Sequence, residues 1–209
     1  DSSRRDLLSF AALFTFISAL QSKNLFADGG LTELEDKKIP NRATPLAPAG
    51  AQGLRNLANH CTACQLCISV CPNQVLRPSH NLAKLMKPEM SFERGYCRPE
   101  CVKCSQVCPT AAIHRITKEE KTAVQIGHAV WSKANCVVIR DKVTCKNCER
   151  HCPTGAIQLI PQDAANPDSL KIPAIDVERC IGCGACEHLC PSRPLSAIHI
   201  EGHERHRII

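Results

Sequence analysis

The apolar positions of this chain form one long run near its start and several short runs further on. The long run covers residues 7–20 and is interrupted only by Ser9, Thr15 and Ser18. At about 1.5 Å per residue these 14 residues reach roughly 21 Å, less than the hydrocarbon core of about 30 Å. The pattern therefore predicts an apolar helix of the export-signal type over residues 1–27 rather than a spanning helix.

The short apolar runs recur beside Cys-Pro steps in the second half of the chain. Runs at residues 112–116, 156–160 and 197–200 follow such steps, and similar runs at 127–131 and 172–177 precede later cysteine groups. Runs of this length with β-branched residues predict strands. The repeated order of strand, cysteine loop, short helix and strand predicts an α+β fold with little regular structure.

Two segments have no apolar periodicity. Residues 28–59 are rich in proline, glycine and charge, which predicts an extended linker that lies over the following domain or over a partner as a strap. The C-terminal residues from 199 onward alternate histidine with Glu and Arg, which predicts a solvated polar tail rather than a metal site. The main domain is therefore expected at residues 60–209.

Aromatic side chains are too few to anchor an ordinary core in that domain. Aromatic residues make up 3% of the chain, and four of the five phenylalanines precede residue 27. Phe92, Tyr96 and Trp131 are the only rings of these three types that remain. Something other than side-chain packing must organise residues 60–209.

The 16 cysteines supply that organisation, because they fall into four quartets that each end in Cys-Pro. The quartets are Cys61, Cys64, Cys67 and Cys71; Cys97, Cys101, Cys104 and Cys108; Cys136, Cys145, Cys148 and Cys152; and Cys180, Cys183, Cys186 and Cys190. The first and fourth follow C-x2-C-x2-C-x3-C-P, the ligand run of bacterial ferredoxins, whose fourth cysteine ligates the neighbouring cluster. The second begins with an x3 step and the third with an x8 gap, so Cys136 fits the pattern least well.

Other uses of so many cysteines fit the spacing less well. A disulfide framework would leave most half-cystines of a quartet with only strained neighbours. Structural zinc uses separated C-x2-C pairs, whereas each triad here leaves one cysteine over. Cys97, Cys101 and Cys104 resemble a radical S-adenosylmethionine triad, but Cys108 follows at once and no barrel fits the available length. The spacing therefore predicts four [4Fe–4S] clusters bound by all 16 cysteines.

Cluster binding would change the net charge of the protein. The formal charge is +6 with neutral thiols. Each oxidised all-cysteine cluster contributes about −2, so four of them change the total to about −2. A nucleic-acid partner is therefore not expected, and no aromatic residues interleave the basic ones.

Residues 60–200 resemble the four-cluster polyferredoxins, in particular the ferredoxin-type proteins that accompany periplasmic nitrate reductase and methylamine dehydrogenase, and also the iron–sulfur subunits of molybdenum oxidoreductases. The resemblance implies nested modules, with an inner unit at about 93–160 inside an outer unit made of about 60–80 and 172–200. The implied ligand sets are Cys61, Cys64, Cys67 with Cys190; Cys180, Cys183, Cys186 with Cys71; Cys97, Cys101, Cys104 with Cys152; and Cys136, Cys145, Cys148 with Cys108. Sequential pairing of the first quartet with the second, and the third with the fourth, stays open.

The N-terminal segment resembles a twin-arginine export signal, with Arg4 and Arg5 before the apolar run and Leu7 where Phe is usual. This predicts a membrane-associated protein on the periplasmic side, anchored through residues 7–20 or through a region that precedes Asp1. The alternatives are a chance Arg-Arg pair before an amphipathic helix, and a position on the cytoplasmic face of a membrane complex.

The function expected from these features is a one-electron relay. The sequence contains no dinucleotide, P-loop or nucleophile-elbow motif, so no catalytic residue is assigned. The resemblance implies partners on both sides, a membrane quinol- or quinone-linked subunit and a reductase or dehydrogenase. The alternatives are an iron–sulfur subunit of a complex whose catalytic site lies in another chain, and clusters with a structural or sensory role. His60, His151 and His188 adjoin ligands and are candidates for tuning a cluster, or else solvated loop residues.

Overall fold

The computed structural model describes residues 35–209. The expected N-terminal helix at 1–27 and the first residues of the linker lie outside the described residues. Residues Asp36–Ile209 form one unit. In this part of the chain no helix is both long enough and apolar enough to cross a bilayer.

Regular elements are short throughout the described residues, as the sequence predicts for an α+β fold with little regular structure. The helices are α1 (Leu54–His60), α2 (Leu66–Ser69), α3 (Lys103–Val107), α4 (Lys118–Ala123), α5 (Val137–Arg140), α6 (Asn147–Arg150) and α7 (Ala185–His188). The strands are β1 (Leu76–Pro78), β2 (Pro88–Met90), β3 (Val124–Trp131), β4 (Ile157–Pro161), β5 (Lys171–Ile175) and β6 (Ile198–Ile208). Single 3-10 turns lie at Ala49–Ala51, Leu82–Lys84 and Lys133–Asn135.

The strands form three separate antiparallel ribbons of two strands each. β1 pairs with β2, β4 with β5, and β3 with β6. The third ribbon is the longest, and in its register Trp131 lies opposite Ile198 while Val124 lies opposite Ile208. It therefore joins the middle of the chain to its C-terminal segment.

Most expected strands are present, with two differences. β3, β4 and β5 lie where the apolar runs predict them. Residues 112–116 form no strand, because the His114 amide donates to Gly50 of the linker and Ile113 is buried beneath it. The expected polar tail is exposed to solvent at Glu204, Arg205 and Arg207, but it is a strand, because residues up to Ile208 continue β6 by pairing with β3. In both cases a distant segment supplies the backbone partner, which local composition does not reveal.

The linker lies against the domain, as expected for a strap, but its last part is helical rather than extended. Residues 36–48 contain no helix or strand, and two of their side chains bind the C-terminal part of α7 and its surroundings. Lys37 Nζ donates to the carbonyls of His188 at 2.8 Å and Cys190 at 3.4 Å. Residues 54–60 instead form α1, in which Leu57 is buried. Burial of that leucine favours the helix over an extended linker.

The core is assembled from small aliphatic residues, several cysteines and one ring. Phe92 is 1% exposed and is the largest fully buried side chain among residues 35–209. Its ring lies against Gly184, which begins α7 with φ of +81°. Arg42 of the strap covers the ring, with its guanidinium carbon 5.7 Å from the ring centroid. The ring thus packs directly against the cysteine loop that carries the fourth quartet.

We expect Gly184→Ala to destabilise the domain by about 2–5 kcal/mol. The backbone there is left-handed, which costs an alanine about 1–2 kcal/mol, and a Cβ would overlap the Phe92 ring, which costs about 1–3 kcal/mol more. Gly155→Ala is the matched control, because φ there is +62° and the nearest atom to a Cβ is Arg179 Nη2 at 3.6 Å. Anaerobic chemical denaturation checks the difference. Equal losses in the two variants would contradict the packing argument.

Candidate metal centres

The structure brings the cysteines of the four quartets into four groups of four, called sites 1 to 4 here. Site 1 combines the first three cysteines of the first quartet with the last cysteine of the second. Cys61, Cys64, Cys67 and Cys108 line one cavity together with Thr110 and Ile113. Cys64 is the exposed member of this site, whereas Cys67 is buried.

Site 2 is the reciprocal group. Cys97, Cys101 and Cys104 line a second cavity, and the fourth cysteine in it is Cys71 of the first quartet. The thiolate of Cys71 adds to the rise that burial causes in the pKa of Cys97, because like charges that lie close together repel. The first two quartets therefore exchange their last cysteines.

Sites 3 and 4 repeat this exchange between the third and fourth quartets. Site 3 contains Cys136, Cys145, Cys148 and Cys190, which line a cavity with Trp131. Site 4 contains Cys180, Cys183 and Cys186, and Cys152 lies close enough to affect the pKa of each of them. Cys136, which fits the sequence pattern least well, lies with the rest of its group.

The structure therefore differs from the nested grouping that the resemblance implies. Cys71 lies with Cys97 and not with the fourth quartet, and Cys108 lies with Cys67 and not with the third. The cause is helix packing, because α2 contacts α3 and α6 contacts α7. Each fourth cysteine leaves its own loop at the end of a short helix and points toward the loop of the helix packed against it. The inner unit at 93–160 and the outer unit at 60–80 and 172–200 are replaced by two sequential pairs.

Burial raises the pKa of seven of the sixteen thiols. The pKa of Cys67 rises to about 11, and those of Cys104, Cys148 and Cys183 rise to about 12. Burial is the largest cause in each case. Neighbouring thiolates of the same site raise these values further. Because metal binding requires thiolates, filling these sites releases protons and is favoured as the pH rises.

The last cysteines of three quartets accept backbone hydrogen bonds at sulfur. Val75 donates to Cys71 Sγ at 3.3 Å, Ile113 to Cys108 Sγ at 3.4 Å and Ala197 to Cys190 Sγ at 3.3 Å. In Cys108, partial burial acts to raise the pKa, but hydrogen bonds from Ile113, Thr110 and Ala112 together lower it. Each donor lies four to seven residues after its cysteine, where the chain turns back beyond the proline. These turns prepare the sulfur atoms to carry negative charge.

A cation at site 2 was not identified from the sequence. Lys121 of α4 is 8% exposed, and its Nζ donates to Cys97 Sγ at 3.2 Å. The helix is set by a capping box in which Thr117 and Glu120 bond each other's backbone. That box is visible in the sequence, but it predicts only the helix and not the contact with a cysteine 24 positions away.

The three candidate histidines make other contacts. Their Nδ1 atoms bond backbone carbonyls, His60 with Asn56, His151 with Asn147, and His188 with Phe92 at 2.8 Å. His60 and His151 are exposed. The first two contacts follow the i, i−4 direction of a short helix and need no metal to explain them.

The four sites neighbour one another in the order 1, 2, 4, 3, and this series of neighbours is called the row here. The thiolate of Cys67 in site 1 lies close enough to raise the pKa of Cys104 in site 2. In the same way, Cys97 of site 2 raises the pKa of Cys183 in site 4, and Cys148 of site 3 raises that of Cys186 in site 4. In addition, the Cys97 amide donates to the Cys183 carbonyl at 2.9 Å. The order of neighbouring sites therefore differs from the order of the quartets along the chain.

The residues present fit iron–sulfur clusters. All sixteen cysteines carry free thiols. Within the described residues no carboxylate forms a salt bridge with the buried ammonium of Lys121, so it requires another anion beside it. A thiolate-ligated cluster, which is anionic overall, supplies that charge. Although four cysteines line each cavity, no three His, Cys, Asp or Glu side chains among residues 35–209 lie close enough together to hold a single metal ion.

Comparison with known families gives a partial match. A model described as a 4Fe-4S dicluster domain matches residues 143–193. This segment contains seven of the eight cysteines of sites 3 and 4, all except Cys136. The match therefore joins the third and fourth quartets, as the packing of α6 and α7 does.

Curated relatives match a larger part of the chain. The methylamine utilization ferredoxin-type protein MauM of Methylorubrum extorquens is 30% identical over 198 residues, covering 90% of this chain and 84% of that protein. The ferredoxin-type protein NapF of Escherichia coli is 28% identical over 145 residues, 69% of this chain and 79% of that one. The ferredoxin-type protein NapG of Escherichia coli is 27% identical over 174 residues, 79% and 74% of the two chains.

Proposed function

We propose that this chain, which belongs to the family of bacterial ferredoxin-type electron-transfer proteins that includes MauM, relays single electrons through four [4Fe–4S] clusters. The observation that supports four clusters is that the 16 cysteines come together in four groups of four. When bound, such clusters accept and donate one electron at a time. Under this proposal all sixteen cysteines are iron ligands.

The residues of the chain prepare the sites for this role. Backbone N–H groups and the hydroxyls of Thr110 and Thr154 lie against the sulfur atoms of the exchanged cysteines. Burial keeps water away from Cys186 and Cys180 in the middle of the row. Because the order in space is 1, 2, 4, 3, sites 1 and 3 lie at the two ends, and the exposed Cys64 makes site 1 the end nearest to solvent in the described part of the chain.

The partners proposed are redox proteins. One is a membrane quinol- or quinone-linked subunit, and the other is a reductase or dehydrogenase. This rests on the family and on the part that MauM has, by its name, in methylamine utilization. Leu66, between two ligands of site 1, is 46% exposed and offers an apolar contact beside that end of the row.

The proposed location is membrane-associated on the periplasmic side, because Arg4 and Arg5 precede the apolar run at residues 7–20. The test is expression in a strain with the twin-arginine route intact and in one without it. Cluster-loaded protein in the periplasmic fraction of the first strain alone supports the proposal. Equal cytoplasmic amounts in both strains would instead place it on the cytoplasmic face.

The relay predicts iron content and reversibility. Anaerobically purified protein should contain about sixteen irons per chain, which is four for each of four clusters. Titration followed by EPR should show four one-electron steps, and the isolated chain should turn over no small substrate. Clusters that never reduce would support a structural or sensory role. Constant co-purification with a flavin or molybdopterin chain would show a subunit of a catalytic complex instead.

A further inference from the structure

Lys121 is a buried cation placed directly against one of the four proposed clusters. Its Nζ donates to Cys97 Sγ at 3.2 Å, to the Arg98 carbonyl at 2.6 Å and to the Cys101 carbonyl. These three contacts account for the three N–H groups of an ammonium. The side chain is therefore held in one position at site 2, rather than free to move into solvent.

The charge of this lysine has no acidic partner in the described residues, where the salt bridges join other groups. An isolated ammonium that is 8% exposed is costly unless an anion lies beside it. The structure places the Cys97 sulfur there, and a cluster bound through that sulfur would supply the anionic charge. The lysine and the loaded site are therefore complementary in charge.

The other sites are arranged differently. Lys37 lies near Cys190 of site 3, but its Nζ is bonded to backbone carbonyls and no sulfur contact is made. The sulfur contacts described at site 3 and at site 1 involve only neutral groups, namely backbone N–H groups and the Thr110 hydroxyl. A full positive charge bonded to a ligand sulfur is thus found at site 2 among the described contacts.

We propose that Lys121 sets the reduction potential of the cluster at site 2 above the value that this site would otherwise have, so that electrons are held at the second position of the row. This inference rests on the proposed relay function. Reduction adds negative charge to a cluster, and a fixed positive charge in contact with a ligand favours the reduced form. Lys121 is thus a positioning residue for charge and not a catalytic residue.

The test is an anaerobic EPR redox titration of Lys121→Met, which keeps an unbranched side chain one heavy atom shorter and removes its charge. One of the four reduction steps should move to lower potential, with at least a tenfold change in its equilibrium constant, which is about 59 mV for one electron. The Cys101→Ala variant assigns that step to site 2, because it removes a ligand there. Lys121→Arg keeps the cation and should leave the step close to that of the unchanged protein.

Lys118→Met is the matched control, because Lys118 belongs to the same helix but is exposed. It removes the same charge and should shift no step. Iron analysis of every variant is done first, so that the proposal is separated from the relay function itself. Four reversible clusters with an unmoved site 2 step in Lys121→Met would overturn the proposal while leaving the relay intact.

A second variant covers the case in which methionine prevents the site from filling. Lys121→Gln keeps a hydrogen-bond donor without the charge, and its site 2 step should also fall. Loss of the site 2 cluster in both variants, with iron retained in Lys121→Arg, would mean that the lysine only retains the cluster, and this too would overturn the proposal.

Discussion

Replacement of Cys71 by alanine is expected to abolish the reduction step of site 2, although Cys71 belongs to the first quartet. The structure places this cysteine with Cys97, Cys101 and Cys104. Removing it leaves that site with three thiolates from its own loop, so iron falls below about sixteen per chain. The measurement is an anaerobic EPR titration together with iron analysis.

Two further variants decide between the possible pairings. Cys101→Ala removes a ligand of site 2, and Cys183→Ala removes a ligand of site 4. If the quartets pair sequentially, Cys71→Ala and Cys101→Ala alter the same step while Cys183→Ala alters another. If Cys71→Ala and Cys183→Ala share a step instead, the nested arrangement is right and the grouping in this structure is not.

Loss of the buried ion pair between the strap and the fourth quartet is expected to lower stability by about 3–5 kcal/mol. Arg42 pairs with Glu187, and their side chains are 8% and 3% exposed. Both also bond Ile200, Arg42 to its carbonyl and Glu187 from its amide, each at 2.8 Å. Arg42→Met leaves the Glu187 carboxylate buried without its cation. For a chain of this length the loss corresponds to a fall of about 6–20 °C in denaturation temperature.

Anaerobic thermal scans at one fixed rate, followed by circular dichroism and by visible absorbance, measure this fall. Arg140→Met is the control, because Arg140 and its partner Asp141 are 47% and 43% exposed, and the change should be small. The double variant Arg42→Met/Glu187→Met should be less damaging than either single variant, because it leaves no buried charge unpaired. A denaturation temperature of Arg42→Met equal to that of Arg140→Met would show that the pair does not hold the strap.

The strands show which elements the local sequence pattern can predict and which it cannot. β4 and β5 are predicted as apolar runs, because β4 alternates between a packed and an exposed face and β5 is buried or half-buried after Lys171. The hairpin of β1 and β2 was not predicted, since each strand has three residues and both include proline. The start of β6 is predicted as a strand, but its last part is polar on both faces and predicts a tail, and only pairing with β3 makes that part a strand. Pattern therefore reveals strands that bury a face and misses those defined by a distant backbone.

The sequence by itself determined the chemistry of this protein. Spacing within a loop fixes which three thiolates can reach one cluster, because two-residue steps allow few other arrangements, and the following Cys-Pro step sends the fourth thiolate away. The small number of aromatic residues further indicates that bound metal organises the domain. These are local properties, so the order of residues is sufficient to show them.

Only the tertiary structure decided which groups meet. The fourth cysteines join partners according to which short helices pack together, and similar loop spacings allow either pairing. Lys121 reaches a sulfur 24 positions away, and Arg42 reaches a carboxylate 145 positions away. Contacts of this kind depend on the packing of the whole chain. The free energy of bringing two distant segments together is shared among many residues, so no single motif predicts the contact.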